Sequence, residues 1–292
     1  MKTNCITFSS IVKLNLGNPN SGYNEDIIST IKKIQFPNGD SYPYISGQSI
    51  RRMARERLKD FGFESSPRGK STGKEKSPKI TSCDPEKYAD DDLFGYMDAT
   101  NLLSRTSPVR VSPAVALFPY NYERDLGLQN NSDIHQSHSM YETEVSSNWL
   151  TYSVLIELDR VGRGESEIKK GNAKSDWEIS NEERFKRIEA LLNSFLYLWG
   201  GGKQSRFMTN EKPLAIVISV QNVKNPIWLG RIHLDNNGNL DDETIINIIK
   251  ENSSIMVHHD VGIESPEIRS KEFSKTPKAA INGVIEEIKG KI

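Results

Sequence analysis

The sequence predicts an α+β protein with a ferredoxin-like, or RNA-recognition, order of elements. Three observations lead to this prediction: stretches with β-type alternation, two amphipathic helical stretches, and their order of strand, helix, strand, strand, helix, strand. In this topology both helices pack on one face of an antiparallel sheet. The 292 residues, 36% of them hydrophobic, can form one large domain with insertions, so we expect a single domain over residues 1–292.

The predicted core begins with a strand and a helix. The stretch CITFSSIVKLN alternates and is rich in β-branched residues, which favours a strand, and the loop LGNPNSGYNED follows it. From Ser46 onward the apolar residues Ile50, Ala54, Leu58 and Phe61 recur at helical spacing. This pattern predicts an amphipathic helix directly after the loop.

Two irregular segments interrupt the middle of the chain. Residues 62–92 are polar, contain Pro and Gly, and have no period, which predicts a flexible insertion. The β-prone stretch SPVRVSPAVALFPY is interrupted by Pro108 and Pro113, which suggests an edge strand or a bulge. Residues 121–139 are irregular and precede the alternating stretch YETEVSSNWLTYSVLIELDRVG, so we expect a long hairpin with an elaborate tip at 121–139.

The second predicted helix lies in SNEERFKRIEALLNSFLYLWGGG. Ser180 and Glu183 form a capping box, and the glycine run from Gly200 is expected to end the helix. Its apolar face comprises Phe185, Ile188, Leu192, Phe195 and Trp199. PLAIVISVQ then predicts a buried strand, and a helix near DDETIINIIK, a strand near SSIMVHHDVG and a helical tail predict an α/β supplement at 231–292.

Composition restricts the functional class. The formal net charge of −1 is not typical of a nucleic-acid or membrane-surface protein, so any such role must be local. Cys5 and Cys83 lie far apart, which disfavours a disulfide framework and a thiolate metal site and fits a reducing cytosol. No apolar run approaches the roughly 20 residues of a membrane span, and the start lacks a signal-peptide core. We therefore expect a cytoplasmic protein with no membrane partner.

The start of the first helix, ISGQS, is a candidate phosphate-binding site. A helix N-terminus offers unpaired backbone N–H groups and a positive dipole end, and the absence of a side chain at Gly47 would let a phosphate approach closely. Three arginines extend the positive surface along the helix: Arg51, Arg52 and Arg55. The alternative is a solvated amphipathic helix, because Glu56 and Asp60 partly neutralise these charges.

The segment LWGGGKQSRF is a second candidate phosphate-binding site. Its candidate residues are Gly200, Gly201, Gly202, Lys203 and Arg206. The alternative is a simple glycine C-cap, and the segment is not a Walker A loop because the GxxxxGK[ST] pattern fails around Lys203.

Two pairs of histidines are candidate metal ligands: His135 with His138, and His258 with His259. Neither pair has a matching ligand group at the spacing of a zinc site. The sequence has no nucleophile-elbow motif and no dinucleotide-binding context. We therefore expect no metal, no cofactor and no catalytic residue.

Three motifs occur in order: YPYISGQSIRRMARERL, DDLFGYM and RTSPVRVSPAVALFPY. Together they closely resemble the backbone subunit of type I CRISPR effector complexes, particularly the DevR-type proteins of subtype I-B. The resemblance covers residues 1–160. The glycine-rich segment is similar, more loosely, to a loop of the wider repeat-associated superfamily, since MTNEKP stands here where further glycines usually follow.

The resemblance implies a protein shaped like a right hand. A palm of RNA-recognition fold would comprise residues 1–61, 93–120 and 140–230, with a finger-like insertion at 62–92 and a thumb-like hairpin tip at 121–139. Several copies would polymerise in a helical filament along the spacer of the CRISPR RNA (crRNA). They would hold its backbone while the bases remain free to pair with target DNA. The implied partners are the crRNA, a large subunit, a cap subunit and a repeat-processing endonuclease of the Cascade complex, and the implied role is not enzymatic.

Residues are carried over motif by motif. The helix start supplies Ser46, Gly47, Gln48, Arg51 and Arg52 as implied RNA contacts, and RTSPVR supplies Arg105, Ser107 and Arg110. Ser and Arg suit this role because both donate to phosphate oxygens or to the 2′-hydroxyl. Arg105 and Arg110 have the alternative of interstrand salt bridges with Glu142 or Glu144. In the thumb, Leu126, Leu128 and Met140 are candidates for wedging between bases.

Two other functions stay open. Type III relatives cut target RNA with an acidic residue in the loop after the first strand, where this chain has Glu25 and Asp26, which could bind a divalent metal. The alternative is that these carboxylates cap a short helix, EDIISTIKK. The DevR label also suggests a transcriptional regulator, although the sequence has no helix-turn-helix signature.

Overall fold

The computed structural model describes residues 3–68, 81–98, 103–130, 138–166, 175–264 and 266–292. The strands are β1 (Cys5–Gly17), β2 (Ser21–Glu25), β3 (Ile28–Ile31), β4 (Lys33–Gln35), β5 (Ser41–Ile45), β6 (Tyr96–Asp98), β7 (Leu103–Arg105), β8 (Val109–Val111), β9 (Ala114–Ala116), β10 (Glu123–Asn130), β11 (His138–Glu157), β12 (Arg163–Ser166), β13 (Ser175–Glu178), β14 (Ala215–Gln221) and β15 (Met256–Ile263).

The helices are α1 (Gly47–Arg57), α2 (Ala89–Phe94), α3 (Asn181–Leu196), α4 (Gln204–Phe207), α5 (Asp242–Glu251) and α6 (Pro277–Ile288). A 3₁₀ turn over Leu58–Phe61 continues α1. Among the helices of the described ranges, none is long and apolar enough to cross a membrane.

The main sheet has the predicted ferredoxin-like strand order. β1 lies in its centre and pairs antiparallel with β11 on one side and with β14 on the other, and β8 and β9 continue the sheet beyond β11. The helices α1 and α3 pack on one face, where Phe8 of β1 lies 5.3 Å from Phe195 and 6.5 Å from Tyr152, measured between ring centroids. The prediction of an α+β protein with this topology is confirmed.

The region after residue 230 forms the predicted helix, strand and terminal helix. β15 pairs with β14 at the edge of the sheet, and α6 packs against both strands on the face that carries α3. The opposite face of β1, β14 and β15 is covered by α5 and by the segment around Trp228. The indole of Trp228 is fully buried and donates to the Ser219 hydroxyl at 2.9 Å, while its carbonyl accepts from the Ser9 hydroxyl at 2.9 Å.

The proline-containing stretch forms two short strands with a bulge between them. Val109 lies opposite Ile156 of β11, whereas Ala116 lies opposite Leu150, so the register shifts by one residue between β8 and β9. The shift falls at residues 112–113. Pro113 lies at this bulge and is exposed. The position suits proline, because proline has no N–H group to donate to the hydrogen-bond ladder.

Two predicted elements were wrong. The stretch EDIISTIKK is not a helix: β2 and β3 form a hairpin there, with Asp26 in a left-handed turn (φ 55°), because its isoleucines and Thr30 favour a strand. The helix α3 ends at Leu196, not at the glycine run. Trp199 consequently lies outside the helix, is 45% exposed and forms a bridge with Asn210.

The predicted hairpin is present and is longer than expected. β10 and β11 pair antiparallel from Glu123 opposite Val145 to Asn130 opposite His138. Residues 123–130, expected to be irregular, are therefore a strand, and 131–137 lie outside the described residues. We call the paired segments 123–130 and 138–145 the thumb hairpin.

The last part of the predicted flexible insertion belongs to the core. Three consecutive aspartates of α2, Asp90, Asp91 and Asp92, are buried. Arg55 of α1 pairs with Asp90 at 2.7 Å and with Asp91 at 3.3 Å. Residues 90–92 are thus held by ion pairs rather than by apolar side chains, which explains why their composition is that of a solvated segment.

Asp92 is the centre of this buried ionic cluster. Its carboxylate accepts from Arg187 of α3 at 2.9 Å, from the Gly162 N–H at 2.8 Å and from Arg105 of β7. Burial raises the pKa of Asp92, and the guanidinium groups of Arg105 and Arg187 oppose that rise.

Replacement of Asp92 tests the role of this cluster. Asp92→Asn keeps the size of the side chain but removes the carboxylate that pairs with the buried Arg105 and leaves the buried Arg187 with only the partly exposed Glu183 at 3.3 Å, so we expect a loss of about 3–5 kcal/mol in the free energy of unfolding. The matched control is Asp60→Asn, because Asp60 is 54% exposed in its ion pair with Arg57 and should cost at most about 1 kcal/mol. Urea denaturation measures both, and similar losses in the two variants would contradict the prediction.

Candidate nucleic-acid interface

The loop after β1 joins the two segments that the sequence singles out as phosphate-binding. We call residues 18–20 the junction loop. The Pro19 carbonyl accepts from the Gly202 N–H of the glycine run at 2.7 Å, and the Asn20 Oδ1 accepts from the Ser46 N–H at the start of α1 at 2.8 Å. The glycine run and the helix start therefore lie on either side of the same three residues.

The junction loop is also fixed to the thumb hairpin. Asn18 is fully buried, and its Nδ2 donates to the Thr30 carbonyl at 3.2 Å and to the Glu144 carbonyl at 3.1 Å. The Glu144 carboxylate in turn pairs with Lys33 at 2.9 Å. The junction loop thus contacts the helix start, the glycine run and the base of the thumb hairpin, and holds all three together.

The start of α1 has the geometry of a capped helix. The Ser46 hydroxyl accepts from the Ser49 N–H at 3.3 Å. A Cβ on Gly47 would lie 2.4 Å from the Val111 carbonyl oxygen, so this glycine allows close packing of α1 against β8. The interpretation that Gly47 makes room for a phosphate is corrected, because β8 occupies the space that a side chain at Gly47 would fill.

The three arginines of α1 differ in their surroundings. Arg51 donates to the Phe94 carbonyl at 2.6 Å, and Arg55 binds the buried aspartates, so neither side chain has the solvated position that the sequence suggested. Arg52 is 72% exposed and forms a surface ion pair with Glu56 of the same helix at 3.0 Å. Gln48, one turn earlier, is also exposed.

Arg105 and Ser107 are structural in this fold. The Arg105 side chain is 6% exposed and binds Asp92 and the Arg160 carbonyl, and burial lowers its pKa. The Ser107 hydroxyl donates to the Leu93 carbonyl at 2.8 Å. Both side chains hold α2 in place, and both residues also line the open pocket beside β8, so their assignment as RNA contacts stays a prediction.

Arg110 remains accessible. Its side chain is 57% exposed and lies 3.4 Å from Glu157, and it lines an open pocket of about 520 Å³ together with Arg51. The alternative that Arg105 and Arg110 pair with Glu142 or Glu144 is wrong. Those two carboxylates bind Arg124 and Lys33 instead.

The glycine run has a conformation that favours glycine. Gly201 has φ 87°, and a Cβ there would lie 2.8 Å from both the Pro19 carbonyl oxygen and the Met53 methyl group. Because α3 has already ended at Leu196, the run does not act as the cap of that helix. It forms a separate exposed loop against the junction loop.

Lys203 and Arg206 follow the glycine run and lie close to each other. Lys203 Nζ donates to the buried Thr143 hydroxyl at 3.2 Å, and Arg206 pairs with Asp125 of the thumb hairpin at 2.5 Å. Burial and the nearby Arg206 lower the pKa of Lys203. An anion placed here would relieve that repulsion, so the loop has the electrostatic character of a phosphate-binding site.

The alternative metal sites are not supported by the described geometry. Glu25 and Asp26 are exposed on the turn of the β2–β3 hairpin. His258 contacts Asp260 at 3.0 Å, and His135 and the side chain of His138 lie outside the described residues. Over the ranges that the structure describes, no three His, Cys, Asp or Glu side chains are grouped to hold a metal ion.

Sequence reasoning missed a buried carboxylate near the glycine run. Glu211 is 3% exposed, and its N–H donates to the Leu198 carbonyl at 3.1 Å. Burial raises the pKa of Glu211 to about 7. Its position in an exposed-looking NEKP stretch gives no sign of this burial.

The comparisons with known proteins agree with this fold. The model of the family described as "CRISPR-associated negative auto-regulator DevR/Csa2" matches residues 24–239, well over half of the chain. A chain of a solved "CRISPR RNA-guided surveillance complex, pre-nicking" is similar at a TM-score of 0.59 and 14% identity, covering 97% of this chain and 99% of that chain. A chain of a "CRISPR RNA-guided surveillance complex" is similar at 0.57 and 13%, with the same coverage. None of the curated proteins compared matches the chain.

We expect Glu211 to make the stability of the protein depend on pH. Its pKa is raised from 4.5 to about 7 in the folded state, so the folded state holds the proton more tightly than the unfolded state, and stability falls as the pH rises between these values. Glu211→Gln should remove this fall, which amounts to about 3 kcal/mol at most. Urea denaturation at pH 5 and pH 8 measures it, with Glu267→Gln, at an exposed carboxylate, as the control. An equal difference from wild type at both pH values would show that Glu211 does not titrate in this range.

Proposed function

We propose, because this chain belongs to the CRISPR-associated DevR/Csa2 family, that it is a crRNA-binding backbone subunit of a CRISPR surveillance complex. The observation that carries the proposal is the junction loop, which holds the helix start and the glycine run together beside the thumb hairpin. Both segments suit phosphate groups, which give affinity and register without reading sequence.

The proposed complex is a Cascade of type I-B. Several copies of the chain polymerise in a filament along the crRNA spacer, and each holds the phosphate backbone while the bases pair with target DNA. The further partners are a large subunit, a cap subunit and a repeat-processing endonuclease, and the assembly works in the cytoplasm. The chain contributes binding and carries out no chemical step.

The proposed phosphate contacts are members of the predicted set that are exposed or half-buried. The exposed ones are Gln48, Arg52, Gly201 and Gly202, and the half-buried ones are Ser46, Lys203 and Arg206. Arg51 and Arg110, which line the open pocket beside β8, are proposed as a second group of contacts to phosphate or 2′-hydroxyl oxygens. The other predicted residues would hold these groups in place through contacts within the fold; they are Gly47, Arg55, Arg105 and Ser107.

The thumb hairpin is proposed to separate bases. Leu126, Leu128 and Met140 lie on one face of the hairpin, with Leu128 directly opposite Met140, and each is more than half exposed. An apolar face of this kind can insert between bases and unstack them, as apolar side chains do in duplex DNA.

The function is tested by purifying the protein with its native partners and sequencing the RNA that accompanies it. We expect RNAs of uniform length that combine repeat and spacer sequences, because every copy of the complex would hold one guide. RNA of mixed length and origin would contradict the proposal. Binding to a specific duplex DNA sequence in the absence of RNA would also contradict it, and would favour the alternative that the protein is a transcriptional regulator.

The phosphate contacts are tested by Arg52→Ala and Lys203→Ala. Each should weaken guide binding by about 1 kcal/mol for unrelated spacer sequences and lower the slope of log affinity against log salt by about 0.7, because one phosphate contact is lost. Lys59→Ala, an exposed lysine in the 3₁₀ turn after α1, is the matched control. Filter binding at several salt concentrations measures these values, and a loss confined to one spacer sequence would contradict the assignment.

A further inference from the structure

The thumb hairpin has a second face, directed at the glycine run. Asp125 and Gly127 of β10 lie on this face, opposite Thr143 and Tyr141 of β11. Thr143 is fully buried and accepts from Lys203. This face is therefore a contact surface for the loop that carries the proposed phosphate ligands.

Gly127 provides the place in which the Tyr141 ring lies. A Cβ at Gly127 would be 2.2 Å from Tyr141 Cζ and 2.6 Å from its hydroxyl oxygen, so the ring lies across the backbone of the opposite strand. Glycine and an aromatic residue directly opposite each other form a pair in which the ring covers the bare backbone. Tyr141 stays 37% exposed in this position.

Arg206 lies on this ring. Its guanidinium carbon is 4.9 Å from the centroid of Tyr141, within the range of a cation–π interaction. The same guanidinium pairs with Asp125 at 2.5 Å and approaches the Thr143 hydroxyl at 3.5 Å. Two strands of the thumb hairpin thus fix a cation that belongs to the loop after the glycine run.

We propose that Tyr141 is a positioning residue for Arg206, which it holds at the base of the thumb hairpin in the orientation that binds an RNA phosphate. Gly127 makes this position possible, and Asp125 occupies one edge of the guanidinium. Because arginine presents five N–H donors in a planar fork, donors remain for phosphate oxygens. The inference rests on the proposed function and adds a residue that no phosphate would need to touch.

The physical reason for such a residue is the flexibility of arginine. A free arginine side chain loses much rotamer freedom when it binds a phosphate, and a guanidinium already stacked on a ring has lost part of it beforehand. Loss of the ring should therefore weaken RNA binding, but by less than loss of Arg206 itself, because Asp125 and the Phe207 ring still contact the guanidinium.

The binding experiment uses the full chain and a guide-length crRNA with four variants: Arg206→Ala, Tyr141→Ala, Tyr141→Phe and the double alanine variant. We expect a loss of affinity of about fivefold for Arg206→Ala, a smaller but measurable loss for Tyr141→Ala, and no loss in the double variant beyond that of Arg206→Ala. Tyr141→Phe should bind as wild type does, because the ring and not the hydroxyl carries the contact. Tyr122→Ala is the matched control and should have no effect, since the Tyr122 ring, directly before the thumb hairpin, lies with its centroid 4.8 Å from the guanidinium carbon of Arg124 rather than against Arg206.

A second measurement needs no RNA. The order parameter of the Arg206 Nε–H group, measured by nuclear magnetic resonance, should be high in wild type and in Tyr141→Phe and low in Tyr141→Ala. An Arg206 side chain that stays ordered in Tyr141→Ala, or full RNA affinity of that variant, overturns this inference while the proposed function stands. Failure of wild type to bind crRNA overturns both.

Discussion

The architecture depends on one buried carboxylate that pairs with two buried guanidinium groups. Asp92 joins α2 to β7 through Arg105 and to α3 through Arg187, in a region from which water is largely excluded. Such a group is destabilising when one partner is missing, so the segments that carry the three residues must be assembled together. The cluster also decides which cations stay at the surface, because Arg55 and Arg105 are bound internally and Arg52 is not.

Periodicity was sufficient to predict the elements whose burial is apolar. β1, α1, α3 and β14 show their buried faces in their hydrophobic spacing, and the order of these elements gave the correct topology. The same reasoning failed at residues 90–92. The composition of these three aspartates is that of a solvated segment, because their partners Arg55, Arg105 and Arg187 lie elsewhere in the chain, and composition contains no information on such long-range pairing.

The candidate site was likewise predictable from the sequence only in part. Local patterns identified the helix start and the glycine run, since cap residues and glycines have meaning within a few positions. The contributions of Asn18 and Asn20 depend on carbonyl and N–H groups from other elements, so an Asn-Pro-Asn loop carries no visible sign of them. Gly127 is likewise understandable only when Tyr141 is seen to lie over it.

Trp228 and α5 close one face of the sheet across β1, β14 and β15. In many RNA-recognition domains this is the surface on which bases stack and are distinguished from one another. Here that surface is interior, and the contacts that we propose lie along the rim of the domain. Contacts of this proposed kind would bind phosphates without distinguishing bases, so the same polypeptide would bind guides of any sequence, and a change of target would require a new RNA and no new protein.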